Sequence, residues 1–234
     1  MTSNLTRRLV LGLGSGFAAS AVLSDAPAAE EAEAVFLAQS GPLPGLYCLG
    51  AIATSDLAAE RAEIAKLRAD LKYARVLRAK STDKRKAEFG LRLIDRLLNG
   101  ASLSFCGIMA GVGAAAKSED VRRQVLRAAS TAPVPVYMTA QGPRAASKRS
   151  RQIAQTIITG VTIARTVELR HPKDDDLLQL AGFLAALVRL DQTGASGPAN
   201  DAVLAYLKGK LKVAKLDAAS LEHHPKFRVI PFTA

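Results

Sequence analysis

The chain has 234 residues, of which 49% are hydrophobic and 23% charged, a balance that suits a globular fold with a buried core and excludes global disorder. Lys and Arg number 32 against 21 Asp and Glu, so the formal charge is +11 and the pI about 10.0, which favours anionic partners. Three His (His171, His223, His224) and two Cys (Cys48, Cys106) exclude a Cys₄ or Cys₂His₂ zinc site and a disulfide framework within one chain. Aromatic residues make up 5% with no Trp, leaving few side chains for a platform on which bases stack.

Arg7 and Arg8 precede a charge-free run, Leu9 to Leu23, rich in Leu, Ala and Gly. A membrane span needs ~20 apolar residues, and this run is shorter and broken by Gly12, Gly14, Ser15, Gly16 and Ser20. It reads as a cleavable signal over residues 1–28, with Ala26-Pro27-Ala28 as the cleavage motif and Ala29 as the mature start. Thr6-Arg7-Arg8-Leu9-Val10-Leu11 resembles a twin-arginine export signal. An ordinary Sec signal, or an uncleaved apolar helix in a cytoplasmic protein, are the alternatives. Export to the periplasm or beyond is the expectation, with residues 29–234 as a single domain. Losing residues 1–28 removes Arg7, Arg8 and Asp25 and leaves +10, so the basicity belongs to the rest of the chain.

Two apolar runs, Glu33 to Ala38 and Leu46 to Thr54, flank Gly41-Pro42-Leu43-Pro44-Gly45 and read as a hairpin. Ser55 or Asp56 can cap a helix whose apolar positions Ile64, Leu67, Leu71 and Ala74 carry it to about Ala79. A second helix is predicted from Lys84 to Leu98, with Phe89, Leu93, Ile94 and Leu97 on one face and Asn99-Gly100 as its stop. An apolar run from Leu103 to Val112 follows, then a helix around Val121 to Ala129 and a short strand, Val134 to Thr139. Ile153 to Ile158 has helical spacing, and Val161, Ile163, Val167 and Leu169 alternate as a strand does, with Arg165 the exception. Asp174-Asp175-Asp176 suits the start of a helix, and Leu177 to Leu190 is apolar nearly all round, as in a buried helix. Ala199 to Val213 is a basic amphipathic helix, and the tail ends Phe227-Arg228-Val229-Ile230-Pro231-Phe232. A hairpin followed by alternating helices and strands predicts an α/β fold with a mixed sheet flanked by helices.

Several short motifs resemble the ribonuclease H-like family catalogued as domain of unknown function 3800. Phe36-Leu37-Ala38-Gln39-Ser40-Gly41 is similar to a first strand that in the family ends Asp-Glu-Ser-Gly, and Tyr47-Cys48-Leu49-Gly50-Ala51-Ile52 to a second with a Leu-Gly-Ala core. Asp70-Leu71-Lys72-Tyr73-Ala74-Arg75 resembles a Glu-Leu-Lys-Trp-Ser-Lys helix end, and Leu93-Ile94-Asp95 a Leu-Ile-Asp centre. Gln179-Leu180-Ala181-Gly182 is similar to a Gln-Leu-Ala-Asp helix start. The resemblance spans about residues 34–232 and implies a five-stranded ribonuclease H-like sheet. It also implies a nuclease site in which carboxylates hold two divalent ions ~3.5–4 Å apart. Here the acidic positions read Ala38, Gln39 and Gly182, with Thr139 at a fourth-strand end that often carries Asp. The resemblance therefore implies a pseudoenzyme with no cofactor, in which Ser40, Asp70, Lys72 and Gln179 are the surviving polar residues of the motifs. Asp70 and Lys72 can face one cleft only if the helix ends between them. The alternative is a Mg²⁺- or Mn²⁺-dependent nuclease or phosphodiesterase with displaced carboxylates such as Asp70, Asp95, Glu168 or Asp174.

The acidic triple could bind a metal, but a helix cap explains it more simply. His223-His224 lacks further ligands nearby, and Gly111-Val112-Gly113 matches only part of a dinucleotide fingerprint. Basic residues concentrate between Arg61 and Arg96, with twelve Lys or Arg against five acids, from Arg144 to Arg151, and from Lys208 to Lys215. Arg75, Arg78, Lys84, Arg85, Lys86, Arg144, Lys148, Arg149 and Arg151 are candidates to bind an anionic polymer, nucleic acid or a lipid-headgroup surface. A basic envelope protein with no enzymatic ancestry is thus a further alternative. Cys48 and Cys106 fall on neighbouring strands, either as a cross-strand disulfide or as two buried thiols.

Overall fold

The computed structural model describes residues 32–43, 46–79, 84–111, 118–139, 152, 154–157, 164–194 and 197–232. The expected signal segment with Arg7 and Arg8 lies outside them, as do Arg144, Lys148, Arg149 and Arg151. Among the described residues no helix is long and apolar enough to cross a membrane.

β1 (Ala34–Leu43) pairs antiparallel with β2 (Leu46–Thr54), and β2 antiparallel with β3 (Leu103–Gly111). β4 (Val134–Thr139) lies parallel to β1, and β5 (Ala164–Arg170) parallel to β4. The order β5-β4-β1-β2-β3, three strands antiparallel and two parallel, is the arrangement expected of a ribonuclease H-like sheet. The sheet has six strands instead of five. The Phe227 tail is β6 (Phe227–Pro231), which joins β3 in parallel as an edge strand. Phe227 and Val229 alternate into the core, a pattern too short to separate from a tail without its partner.

Alternation divides the sheet into two apolar faces. Ala34, Phe36 and Ala38 of β1 face a core built with α1 (Leu57–Asp70), α2 (Lys84–Asn99), α4 (Asp176–Thr193) and α5 (Pro198–Leu211). Val35 and Leu37 face a second core built with α3 (Ser118–Ala129). A short helix, α6 (Ala218–Leu221), precedes β6. α4 crosses the first face so closely that a Cβ at Gly50 would lie 2.8 Å from the Ala181 carbonyl oxygen, which accounts for the glycine of Leu49-Gly50-Ala51.

Three local features depart from the sequence expectations. α1 starts on Asp56, whose side chain accepts from the Ala59 amide at 2.9 Å, but it ends at Asp70 and not near Ala79. Lys72 takes a left-handed conformation (φ 50°), and the chain turns inward so that Tyr73 and Leu77 become core residues instead of continuing a helical stripe. In β5, Ala164 pairs with Val134 and Thr166 with Pro135, so Arg165 is a bulge, and the bulge resets the alternation that Arg165 had broken. The disulfide alternative is excluded. Cys48 lies opposite Met109 on the α4 face, whereas Cys106 lies opposite Ala51 on the α3 face, and both are buried free thiols. Burial raises both thiols, Cys106 to about 11, so neither is a nucleophile at neutral pH.

Candidate functional site

The positions that resemble a nuclease centre meet on the α4 face of β1. Ala38 is buried there, and a Cβ built on Gly182 of α4 would sit 3.5 Å from the Ala38 Cβ, in ordinary van der Waals contact. Gln39, the next residue on the strand, falls on the opposite face by alternation, so the two expected acid positions of β1 do not share a site. Thr139, at the end of β4, has a buried hydroxyl with no hydrogen-bond partner among the described residues. Methyl, hydrogen and a neutral hydroxyl replace the anionic oxygens that Mg²⁺ or Mn²⁺ would need, so these residues do not fit the two-ion centre. Ser40 is buried two residues further along β1 and accepts from Arg189 Nε, so its oxygen is held by a cation.

The polar chemistry gathers at the start of α4, where a cleft of about 580 Å³ opens. Its walls are Arg61 and Arg68 of α1, residues 74–76, Arg170 at the end of β5, and Lys173 to Asp176 with Gln179. Asp175 organises one side. Its Oδ1 accepts from the Leu177 and Leu178 amides at 3.1 and 3.2 Å, capping α4 as the acidic triple predicts. Its Oδ2 accepts from Arg61 at 3.2 Å and Arg170 at 2.9 Å. Arg170 also grips both Glu168 oxygens, at 2.9 and 3.0 Å, which holds the Glu168 carboxyl below its ordinary range and raises Arg170. Both guanidiniums lie over Tyr137, Arg170 at 4.1 Å and Arg61 at 5.9 Å from the ring centroid, and Tyr137 stacks on Phe36.

Arg68 organises the other side. It makes a fork to Asp176, with Nε at 2.9 Å and Nη2 at 2.6 Å from Oδ1, and its Nη1 donates to the Tyr73 and Arg75 carbonyls at 2.9 Å each. Gln179 Oε1 accepts from Arg68 at 2.9 Å and from the Leu77 amide at 2.8 Å. This buried amide is the motif residue with the clearest structural role: it pins the segment that leaves α1 onto α4.

The structure separates the remaining candidates. α1 ends at Asp70, between Asp70 and Lys72, yet both are exposed and neither lines the cleft. Arg75 lines it, while Arg78, Lys84 and Arg85 are exposed outside its walls. Lys86 is no surface cation. It is fully buried, with Nζ 3.2 Å from Asn200 Oδ1, because it sits on the same face of α2 as Phe89 and Gly90. Of the displaced carboxylates, Asp95 meets Tyr206 and Lys210, Glu168 is held by Arg170, and Asp174 faces the cleft. Among the described residues no three His, Cys, Asp or Glu side chains gather as metal ligands. His224 Nδ1 accepts from the Lys226 and Phe227 amides at 3.2 and 3.0 Å, a turn-forming role. Arg61, Arg170 and Lys173 were missed by sequence reasoning. The available signal was Arg170 and Lys173 directly after an alternating strand, at the carboxyl edge of a parallel pair.

No family model matches the chain, and no curated protein does. Among solved structures it is similar to the ribonuclease HII of Archaeoglobus fulgidus in its complex with PCNA, at 15% identity and a TM-score of 0.42, covering 77% of this chain and 91% of that one.

Proposed function

We propose that the protein is exported and binds an anionic polymer, a nucleic-acid strand, on a ribonuclease H-like scaffold without hydrolysing it. The observation that carries this reading is that Ala38 and Gly182 face each other, a methyl opposite a bare backbone, where a two-ion hydrolase needs facing carboxylates. Beside it the arginine-lined cleft remains, concave and basic. A concave basic wall suits a strand better than a lipid surface, which meets flat or convex polybasic faces. The Arg7-Arg8 pair and the apolar run after it support export.

The test incubates purified protein with labelled single- and double-stranded DNA and RNA, with Mg²⁺ or Mn²⁺. Retention of intact strands is the expected result. Metal-dependent cleavage that disappears in D70N, D95N, E168Q or D174N would overturn the reading in favour of displaced carboxylates. Mass spectrometry of the protein recovered from the periplasm tests export, with Ala29 expected as its first residue.

A further inference from the structure

We infer that the cleft at the start of α4 seats one phosphodiester of the bound strand, with Lys173 and Arg61 as the direct donors. This rests on the binding reading above and assigns it to one place. The lining holds five cations (Arg61, Arg68, Arg75, Arg170, Lys173) and three acids (Asp174, Asp175, Asp176). Most are committed to one another. Arg68 is spent on Asp176, Gln179 and two carbonyls, and Arg170 on Glu168 and Asp175. Arg75 has an interaction of its own. The α4 amides are not available either, because Asp175 caps them.

Among the described residues three groups keep unused capacity. Arg61 hydrogen-bonds Asp175 through Nη2 and lies over Tyr137, and its Nε and Nη1 make no hydrogen bond. Lys173 is exposed and its ammonium has none, and the Asp174 carboxylate is likewise unengaged. Counting Glu168, which Arg170 grips, the site has five cations against four acids, a net +1. One phosphodiester cancels that charge, whereas a phosphomonoester, about −1.5 to −2 at neutral pH, would leave an excess of negative charge. The volume, about 580 Å³, lies in the range of roughly 300–1,000 Å³ that holds small ligands, room for a short stretch of single strand. Among the described residues no aromatic side chain lines the cleft, and the apolar ones are Ala74 and Val76, so the proposal expects no base stacking and binding indifferent to sequence.

The test is fluorescence anisotropy of the full chain with a labelled single-stranded oligonucleotide over a salt series. Lys173→Ala is expected to weaken binding and to lower the slope of log K against log salt by about 0.7, the loss of one phosphate contact on a single strand. Lys173→Arg restores both. Asp174→Asn tightens binding by removing a like charge, where a metal ligand at that position would make it looser. Arg127→Ala, on α3 across the sheet, changes neither quantity. Lys173→Ala carries the test because that side chain has no structural partner, whereas Arg61→Ala also releases Asp175. If Lys173→Ala binds as the parent does while a Lys84→Ala, Arg85→Ala double variant does not, the cleft assignment falls and the binding reading stands. If the parent binds no oligonucleotide, the binding reading itself falls, and selective binding to phosphatidylglycerol vesicles would replace it with a membrane surface.

Discussion

Two neighbouring regions of the α4 face carry opposite chemistry. Around Ala38 and Gly182 the strand and helix face each other with a methyl and a bare backbone, and neither side chain offers an oxygen to a cation. Around Asp175, every carboxylate but Asp174 is held by a guanidinium, and each of those arginines contacts two or more groups. The first region is apolar, and a Cβ added at Gly182 would meet the Ala38 methyl at an ordinary contact distance of 3.5 Å. The second is held by charge: Glu168, Asp175 and Asp176 serve as counterions to Arg61, Arg68 and Arg170, and Asp175 also caps α4.

That contrast can be broken experimentally. The largest effect is expected for Ala38→Asp, which buries an unpaired carboxylate and should cost about 3–5 kcal/mol in urea unfolding. Addition of Mg²⁺ should not restore the loss, since the neighbouring motif positions Thr139 and Gly182 carry no carboxylate. Asp175→Ala comes next, at about 2–3 kcal/mol, because it removes a helix cap and leaves Arg61 and Arg170 facing each other; Asp175→Asn, which keeps the cap, should recover roughly 1 kcal/mol of it. Gln179→Leu keeps the volume but strands the Leu77 amide, at about 1–3 kcal/mol, and amide exchange in the 71–79 segment should quicken while α4 is unchanged. The smallest effect lies outside both regions, at His224. Burial holds its pKa below the ordinary 6.5, so the unfolded chain takes up more protons as pH falls through that value. Its contribution is complete above pH 6.5 and is lost toward the lower folded value, and His224→Asn should flatten the fall in Tm over that window.

The sheet strands were legible because apolar runs of strand length were bounded by turn residues: Leu46–Thr54 and Val134–Thr139 coincide with their expected ranges. The capping role of the acidic triple was legible for the same reason, since a cap is a local interaction between Asp175 and amides two and three residues on. α1 was overextended because Leu71 and Ala74 continue its stripe, while the interactions that end it are a left-handed Lys72 and carbonyls collected by Arg68. Lys86 was misplaced for a related reason. A basic run marks solvent on average, and only the packing of α2 against α5 buries this one lysine beside Asn200.

By itself the sequence determined the two-faced strands, the buried central helix and the basic charge of the chain, since periodicity and composition act over a few residues. It also showed that Ala38 and Gly182 carry no acid. The tertiary structure decided that these two positions face each other and that Gln39 faces away from them. It also decided which cations remain uncommitted. Arg61 is distant in the chain from Arg170 and Asp175, and only the packing of α1 beside the start of α4 brings it within 3.2 Å of Asp175, so the charge available to a ligand is a property of the fold.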